Sequence, residues 1–287
     1  MRIKKCFPVS TGWGPRVSGS PNYALHNSGC LCVHTRGKTG CAAALAVLML
    51  TATPMVSLAE VGITNYTATR TTGTITIDGT LDEADWGRAA EAVLTETNTG
   101  KPVPLKSTVK VLWDDTYLYV GIFFEDPDAW ATITNEDGAL WGEEVAEVFI
   151  DPENRGHTYY EFEVNPINQK VDLFIINHGQ HFNGDFKGWI DWDFSSKLKT
   201  AVTVVGDGKN EGTADKSWTA ELAFPFEDMW TAANIPPKDG DMWRVNFYRI
   251  ERGKSSDKTD DWYAAFSPTL RPSFHTPWRF GTITFKK

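Results

Sequence analysis

The chain has 287 residues with 28 basic and 37 acidic side chains, a net charge of −9. Residues 1–59 hold six of the basic side chains and none of the acidic ones, which leaves 22 against 37, or −15, for residues 60–287. So acidic a segment is a poor candidate for binding nucleic acid or an anionic membrane surface. Its carboxylates suit neutral sugars and hard cations such as calcium, which take oxygen ligands.

The first 59 residues have the pattern of an export signal. Arg36 and Lys38 precede an apolar run at residues 41–50, and small residues follow up to Ala59. This order predicts a secretory signal peptide that is cleaved after Ala59, and the apolar run is too short to span a bilayer. We therefore expect a secreted or periplasmic protein, with no membrane contact after cleavage. An uncleaved anchor and a translation start near Val33 stay open as alternatives.

All four cysteines lie in residues 1–59, so the segment 60–287 has none. Structural disulfides, thiolate zinc sites, thiol catalysis and covalent c-type haem attachment are thereby excluded from it. The segment also lacks a glycine-rich phosphate loop, a GxSxG elbow and an HExxH zinc motif.

Alternating apolar and polar residues predict about ten strands in residues 60–287. In chain order the predicted strands are Thr74–Asp78, Thr108–Trp113, Tyr117–Phe124, Glu144–Ile150, Thr158–Val164, Lys170–Asn177, Leu198–Val205, Ser217–Phe224, Met242–Glu251, Trp262–Phe266 and Thr282–Phe285. One short helical turn is predicted within residues 81–92 and a long loop at 178–194. This pattern indicates an all-β, antiparallel two-sheet β-sandwich of the jelly-roll or immunoglobulin-like type. We predict a single domain, residues 60–287, after the extension and signal of residues 1–59.

The stretch from Trp141 to Pro166 carries the most informative pattern. Its second strand alternates apolar residues with Glu161, Glu163 and Asn165, so one face of the strand is polar. In its first strand Glu147 interrupts an apolar run, and a lone buried carboxylate is costly, so Glu147 predicts ligand or cation binding. Trp141, just before the first strand, offers an aromatic ring beside these polar residues, and a sugar could stack on it. The alternatives are loop packing for Trp141 and a solvated outer face for the second strand.

Five segments, in order, resemble the family 9 carbohydrate-binding modules. They are IDGTLDEADW (77–86), VKVLWDDTYLYV (109–120), EEVAEVFIDP (143–152), YYEFEVNPIN (159–168) and PWRFGTITF (277–285). The resemblance implies a β-sandwich that binds oligosaccharides or polysaccharide chain ends without catalysis. It also implies secreted glycoside hydrolases as partners, which would carry any hydrolysis of O-glycosyl bonds, and structural calcium in some members.

The resemblance further implies a set of sugar-binding residues. Trp141 matches the first of two tryptophans that hold the terminal sugar, Glu147 the binding carboxylate and Asn165 an amide-bearing position. Phe274, followed by His275, stands at the position of the second tryptophan.

One position reverses the family's charge. Glu163 stands where sugar-binding members can have an arginine, and Arg249 on another predicted strand is a candidate to restore a guanidinium. These departures leave the identity of the saccharide open.

Two other function classes stay open. Some relatives of this sandwich hold a b-type haem, and His275, Met229 and Met242 are candidate axial ligands. Glycoside hydrolysis needs two carboxylates about 5–5.5 Å apart for retention or 6.5–9.5 Å apart for inversion. The candidates for such a pair are Glu144, Glu147, Glu161 and Glu163. His178 and His181 are interpreted as solvated loop residues rather than metal ligands.

Overall fold

The computed structural model describes residues 61–177, 188–207, 215–253 and 258–287, all within one compact unit. The predicted loop histidines, His178 and His181, and the predicted signal lie outside the described residues. The strands are β1 (Asn65–Arg70), β2 (Ala92–Val93), β3 (Thr95–Glu96), β4 (Ser107–Trp113), β5 (Tyr117–Glu125), β6 (Val145–Asp151), β7 (Thr158–Val164), β8 (Lys170–Asn177), β9 (Gly188–Asp191), β10 (Lys199–Val205), β11 (Ser217–Pro225), β12 (Met242–Glu251), β13 (Trp262–Ala265) and β14 (Gly281–Lys286). The helical elements are short 3₁₀ turns: Ala84–Gly87, Leu140–Gly142, Phe226–Asp228 and Pro277–Arg279. Among the described residues no helix has the length and hydropathy of a membrane span.

The strands form one continuous hydrogen-bonded path in the order β10-β11-β5-β4-β1-β14-β12-β6-β7-β8-β9. β13 pairs with β12 and β3, and β2 pairs with β4. The all-β prediction is confirmed, but two finer parts of it need correction. The described residues contain fourteen strands rather than about ten. The sheet is also mixed rather than antiparallel, because β1 runs parallel to both β14 and β4.

The predicted strand Thr74–Asp78 is not a strand in the structure. Two of its backbone N–H groups donate to carboxylates instead of to a neighbouring strand. Thr76 donates to Glu83 at 2.8 Å, and Asp78 donates to the buried Glu221 on β11 at 2.9 Å. Trp86 donates its indole N–H to the other Glu221 oxygen, so one carboxylate fixes this whole segment against the sheet.

The path folds back on itself, so that the two halves enclose the main core. Phe162 on β7 meets Phe224 on β11 with ring centroids 4.8 Å apart. Trp113, Trp218 and Trp243 are buried in this core, and Trp86 is buried in a separate small apolar cluster. Burial of each such large apolar side chain contributes roughly 1.5–3 kcal/mol.

A second, smaller apolar cluster lies on the opposite face of β12, β6, β7 and β8. It contains Phe149, Tyr159 and Tyr248, with Leu140 and Phe280 packed against them from the connecting segments. Because strand side chains alternate between faces, the residues at 145, 147 and 149 of β6 all point to this side. This second face carries the polar residues predicted from the sequence.

Candidate functional site

Three buried glutamates lie together on the second face. β6 and β7 pair antiparallel with Glu147 opposite Glu163, and Glu161 lies two residues earlier on the same face of β7. Carboxylate oxygens of the three residues lie within 4.8 Å of one another. Their exposed fractions are 2% for Glu147, 6% for Glu161 and 1% for Glu163. We call these three residues the glutamate cluster.

The glutamate cluster concentrates negative charge where water is excluded. Burial raises the pKa of each carboxyl, to about 8 for Glu161, and repulsion within the cluster adds to the raised pKa of Glu147 and Glu163. The Arg252 guanidinium acts in the opposite direction on the pKa of Glu147. Oε2 of Glu161 and Oε2 of Glu163 accept no hydrogen bond from the other described residues, whereas the two carboxyl groups are hydrogen-bonded to each other, which raises the pKa of Glu163. At neutral pH the cluster therefore needs protons or a cation to balance its charge.

His275 lies at the edge of the glutamate cluster. Its Nδ1 is 2.8 Å from the Tyr159 hydroxyl oxygen and 3.9 Å from Oε2 of Glu161. Burial lowers the pKa of His275 to about 4, so the ring is neutral at pH 7. The structure thus brings His275 to the predicted site, but as an uncharged neighbour that does not neutralise the carboxylates.

Phe274, predicted at the second tryptophan position, packs against the protein itself. Its ring stacks on that of Tyr248 with centroids 4.1 Å apart and an interplanar angle of 3°. The Tyr248 hydroxyl donates to the carbonyl oxygen of Phe274 at 2.9 Å, which holds the segment on β12. One face of the Phe274 ring is therefore covered by Tyr248 rather than open to a ligand.

Trp141 and Trp192 form an exposed aromatic pair beside the glutamate cluster. Their ring centroids are 6.0 Å apart at an angle of 47°, and their exposed fractions are 39% and 46%. Trp141 lies in the turn Leu140–Gly142, where its backbone N–H hydrogen-bonds Glu163 and its carbonyl oxygen accepts from Arg252. Trp192 directly follows β9. Sequence reasoning missed Trp192, because only tertiary pairing of β9 with β8 brings it to this edge.

Asn165 lies at the end of β7 with its side chain buried and engaged by the chain. Its Nδ2 donates to the carbonyl oxygen of Ile133 at 3.1 Å, and its Oδ1 accepts from the backbone of Gln169 at 2.8 Å. The amide therefore closes the β7–β8 turn and anchors the segment before β6.

Arg249, the candidate replacement guanidinium, lies on the opposite face of the sheet. Its neighbour Tyr248 pairs with Glu147 and shares the face of the glutamate cluster, so Arg249 points into the main core. There it lies between Asp126 and Glu251 and over the rings of Phe124 and Trp262, each with its centroid 4.7 Å away. The structure does not bring Arg249 to the other predicted site residues.

Asp126, Glu144 and Glu251 form a second acidic cluster around Arg249. Burial, reinforced by the charges of Asp126 and Glu251, raises the pKa of Glu144 to about 10. Nη2 of Arg249 lies 3.1 Å from Asp126 and also pairs with Glu251, so a fixed guanidinium supplies one buried positive charge to this cluster. It differs in this respect from the glutamate cluster.

The described geometry favours neither alternative function class. Met229 is buried in the main core, whereas His275 lies on the second face, so one haem could not take both as axial ligands. Met242 is exposed at the start of β12. The carboxylates of the glutamate cluster are each at most 6% exposed, which gives a glycosidic bond no access to them.

The family model named carbohydrate family 9 binding domain-like matches residues 77–287. The chain belongs to this family. The predicted resemblance is thereby confirmed, and the match spans the glutamate cluster and the exposed pair Trp141 and Trp192. Endo-1,4-beta-xylanase A of Thermotoga maritima is 34% identical over 111 residues, which are 36% of this chain and 10% of the xylanase. This family 9 chain thus spans about a tenth of that relative's length.

Other relatives of the family 9 chain match over more of their own length. A protein of Arthroderma benhamiae named only as an extracellular protein is 27% identical over 200 residues, 64% of this chain and 80% of that protein. A solved candidate carbohydrate-binding protein from Bacteroides uniformis superposes with a TM-score of 0.59 at 19% identity, covering 78% of this chain and 100% of that one. A family 9 module from Caldicellulosiruptor kristjanssonii in complex with cellotriose gives 0.51 at 15% identity, covering 77% and 93%. These structural likenesses support the fold.

Proposed function

We propose that the protein binds saccharides without cleaving them, at the edge of the second face where Trp141 and Trp192 are exposed. Membership of family 9 supports the general function, and the paired indoles, 6.0 Å apart, are the observation that supports this location. An indole face covers the C–H face of a pyranose and removes apolar area from water at about 25 cal/mol per Å², before binding costs are subtracted. Two exposed rings side by side offer such a surface to one or two sugar units.

The proposal narrows the set of residues that contact the sugar. Of the seven residues predicted from the sequence, Trp141, Phe274 and His275 reach the surface. The other four are buried: Glu147, Glu163, Asn165 and Arg249. We therefore assign the direct contacts to Trp141, Trp192 and the partly exposed His275, and a supporting role to Glu163, which holds the backbone of Trp141.

The proposed class of ligand is based on what two relatives bind or act on. The Caldicellulosiruptor module holds cellotriose, and a Thermotoga relative is a xylanase. Neutral cello-oligosaccharides and xylo-oligosaccharides are therefore the first ligands to test. Borohydride reduction opens the terminal ring of cellotriose. If the protein binds the reducing end, its affinity for the reduced form should be lower than its affinity for cellotriose.

We also propose that the protein is exported and works beside secreted glycoside hydrolases. The basic and apolar pattern before Ala59 and a relative named as extracellular support export. N-terminal sequencing of the exported protein is expected to begin at Glu60. A mature N-terminus upstream of Arg36 would contradict the proposed cleavage.

Calorimetric titration of the full chain with cellotriose and xylotriose tests the site. Replacing one stacked indole in Trp141→Ala or Trp192→Ala is expected to cost about 2 kcal/mol, or roughly 30-fold in affinity. Trp230→Ala is the matched control, because Trp230 is also exposed but packs against Phe174 at the edge of the main core. Wild-type affinity in both Trp141→Ala and Trp192→Ala would refute the location.

A further inference from the structure

We infer that the exposed pair Trp141 and Trp192 binds the interior of a neutral polysaccharide chain rather than a chain end. The inference rests on the saccharide binding proposed above and specifies which part of a glycan this site takes. A site for a chain end encloses the terminal sugar, whereas a site for the interior leaves the chain room to continue in both directions. The spacing, contacts and charges of the residues around the pair favour the second arrangement.

The two indoles lie too close together to hold a sugar ring between them. Non-bonded carbon atoms in contact are about 3.5–4.0 Å apart, so a pyranose held between two parallel rings needs ring planes about 7–8 Å apart. The ring centroids of Trp141 and Trp192 are only 6.0 Å apart, and the rings are inclined at 47°. Both side chains are nevertheless exposed, by 39% and 46%. The pair therefore forms one open surface on which consecutive sugar units can stack, and not a slot that encloses one unit.

Phe274 does not provide an opposite wall for an enclosed terminal sugar. One face of its ring is stacked on Tyr248, with the centroids 4.1 Å apart. The ring also contacts Tyr263 edge to face, with the centroids 6.0 Å apart at 80°. Because stacked and edge-to-face contacts both stabilise aromatic pairs, they hold this ring against the protein. Phe274 therefore packs as part of the fold instead of closing over a sugar at Trp141.

The polar groups below the pair cannot pair with the hydroxyl that marks a chain end. Glu147, Glu161 and Glu163 are at most 6% exposed, and Asn165 is buried with Nδ2 and Oδ1 both engaged by the backbone. A terminal hydroxyl that lost its water without gaining one of these partners would weaken binding. A sugar stacked on open indoles keeps its hydroxyls in water, so it needs no free terminus.

The charges around the pair favour a neutral chain. Trp192 lies between Asp191 and Asp193 in a segment, residues 60–287, with 22 basic and 37 acidic side chains. The cation beside Trp141 is Arg252, whose side chain is only 10% exposed and pairs with Asp261 at 2.6 Å. A chain of uronic acids would therefore bring its carboxylates to an acidic surface, where like charges repel.

Calorimetric titration of the full chain with cellohexaose and xylohexaose, each before and after borohydride reduction, gives the first test. Reduction opens the terminal ring and leaves the interior units unchanged. We expect the affinity of the hexasaccharide that binds to stay within about twofold on reduction, because the stacked units are not altered. This affinity should also exceed that of the matching trisaccharide, because a longer chain offers more stacking positions.

The number of proteins bound to one chain gives the second test and detects binding at either end. Analytical ultracentrifugation with a soluble xylan and a soluble β-glucan of known mean length should show saturation at several proteins per chain. Trp192→Ala should lower the affinity for these polymers roughly 30-fold, since it removes half of the stacking surface. Trp230→Ala is the matched control and should bind as wild type does.

The possible failures are distinguishable. A loss of roughly tenfold or more on reduction, or saturation at one protein per chain, would overturn the inference and leave the proposed function intact. Tighter binding of a hexamer of galacturonic acid than of either neutral hexasaccharide would overturn the assignment to neutral chains. Absence of binding to every hexasaccharide and polysaccharide would contradict the proposed function itself, and the inference with it.

Discussion

Arg249→Met is the substitution that best tests whether Arg249 stabilises the fold or contacts the saccharide. Arg249 donates to the Glu125 carbonyl oxygen at 2.8 Å and to Ser107 at 3.1 Å, and it pairs with Asp126 and Glu251. Methionine fills a similar volume but leaves two carboxylates buried without a counter-charge. Breaking a buried ion pair in this way costs about 3–5 kcal/mol. We therefore expect a large loss of stability and, in the protein that remains folded, no loss of saccharide affinity.

Urea unfolding at pH 7, followed by tryptophan fluorescence, measures the first effect, and calorimetry measures the second. Arg70→Met is the matched control, because the Arg70–Asp115 pair lies at the surface with side-chain exposed fractions of 27% and 72%. A surface pair of this kind contributes about 0–1 kcal/mol. Stability of Arg249→Met within about 1 kcal/mol of wild type would refute the reasoning. If Arg249→Met had unchanged stability but weaker sugar binding, the result would indicate that Arg249 contacts the saccharide.

Two further substitutions test how the segment before β2 is held. Burial alone would raise the pKa of Asp85, but hydrogen bonds from Gly73 and Thr72 outweigh it and lower the pKa from 3.8 to about 2. Asp85→Asn should therefore cost about 1–2 kcal/mol at pH 6 after solvent screening, and the difference from wild type should shrink as the pH falls below about 4 and vanish only below about 2, where Asp85 is protonated in the folded protein as well; a pH-independent difference would contradict this. Gly79 has φ +88°, and a Cβ there would lie 2.9 Å from the backbone of β10. Gly79→Ala should lower stability by about 1–3 kcal/mol in thermal unfolding, whereas Gly62→Ala, in open space, should not.

Local alternation was sufficient to predict the strands that carry the site. The pattern around Glu161 and Glu163 placed both on one face of β7, and Glu147 stood out because it interrupts an apolar strand. The structure confirms β6 and β7 to within a residue and brings the three carboxylates together. Strand periodicity is a local property, so a single sequence contains it.

The rest of the site depends on which strands are neighbours, and a single sequence does not specify that. Arg249 was named as a candidate for the site from its residue type alone, and the register of β12 against β6 decides that it points to the other face. Trp192 was missed because β9 had to be placed beside β8. β1 was missed because its sequence, NYTATR, has little apolar content and gains its stability from parallel pairing with β14 and β4.

Saccharide binding by the wild-type chain and by a Trp141→Ala/Trp192→Ala double variant tests the central claim most directly. Calorimetric titration with cellotriose and xylotriose should give saturable binding of at least one ligand to wild type. The double variant, with its fold verified by circular dichroism, should show no measurable binding. Equal binding by both proteins would contradict the assignment of the site to the aromatic pair, and no binding of any oligosaccharide to wild type would contradict the proposed function itself.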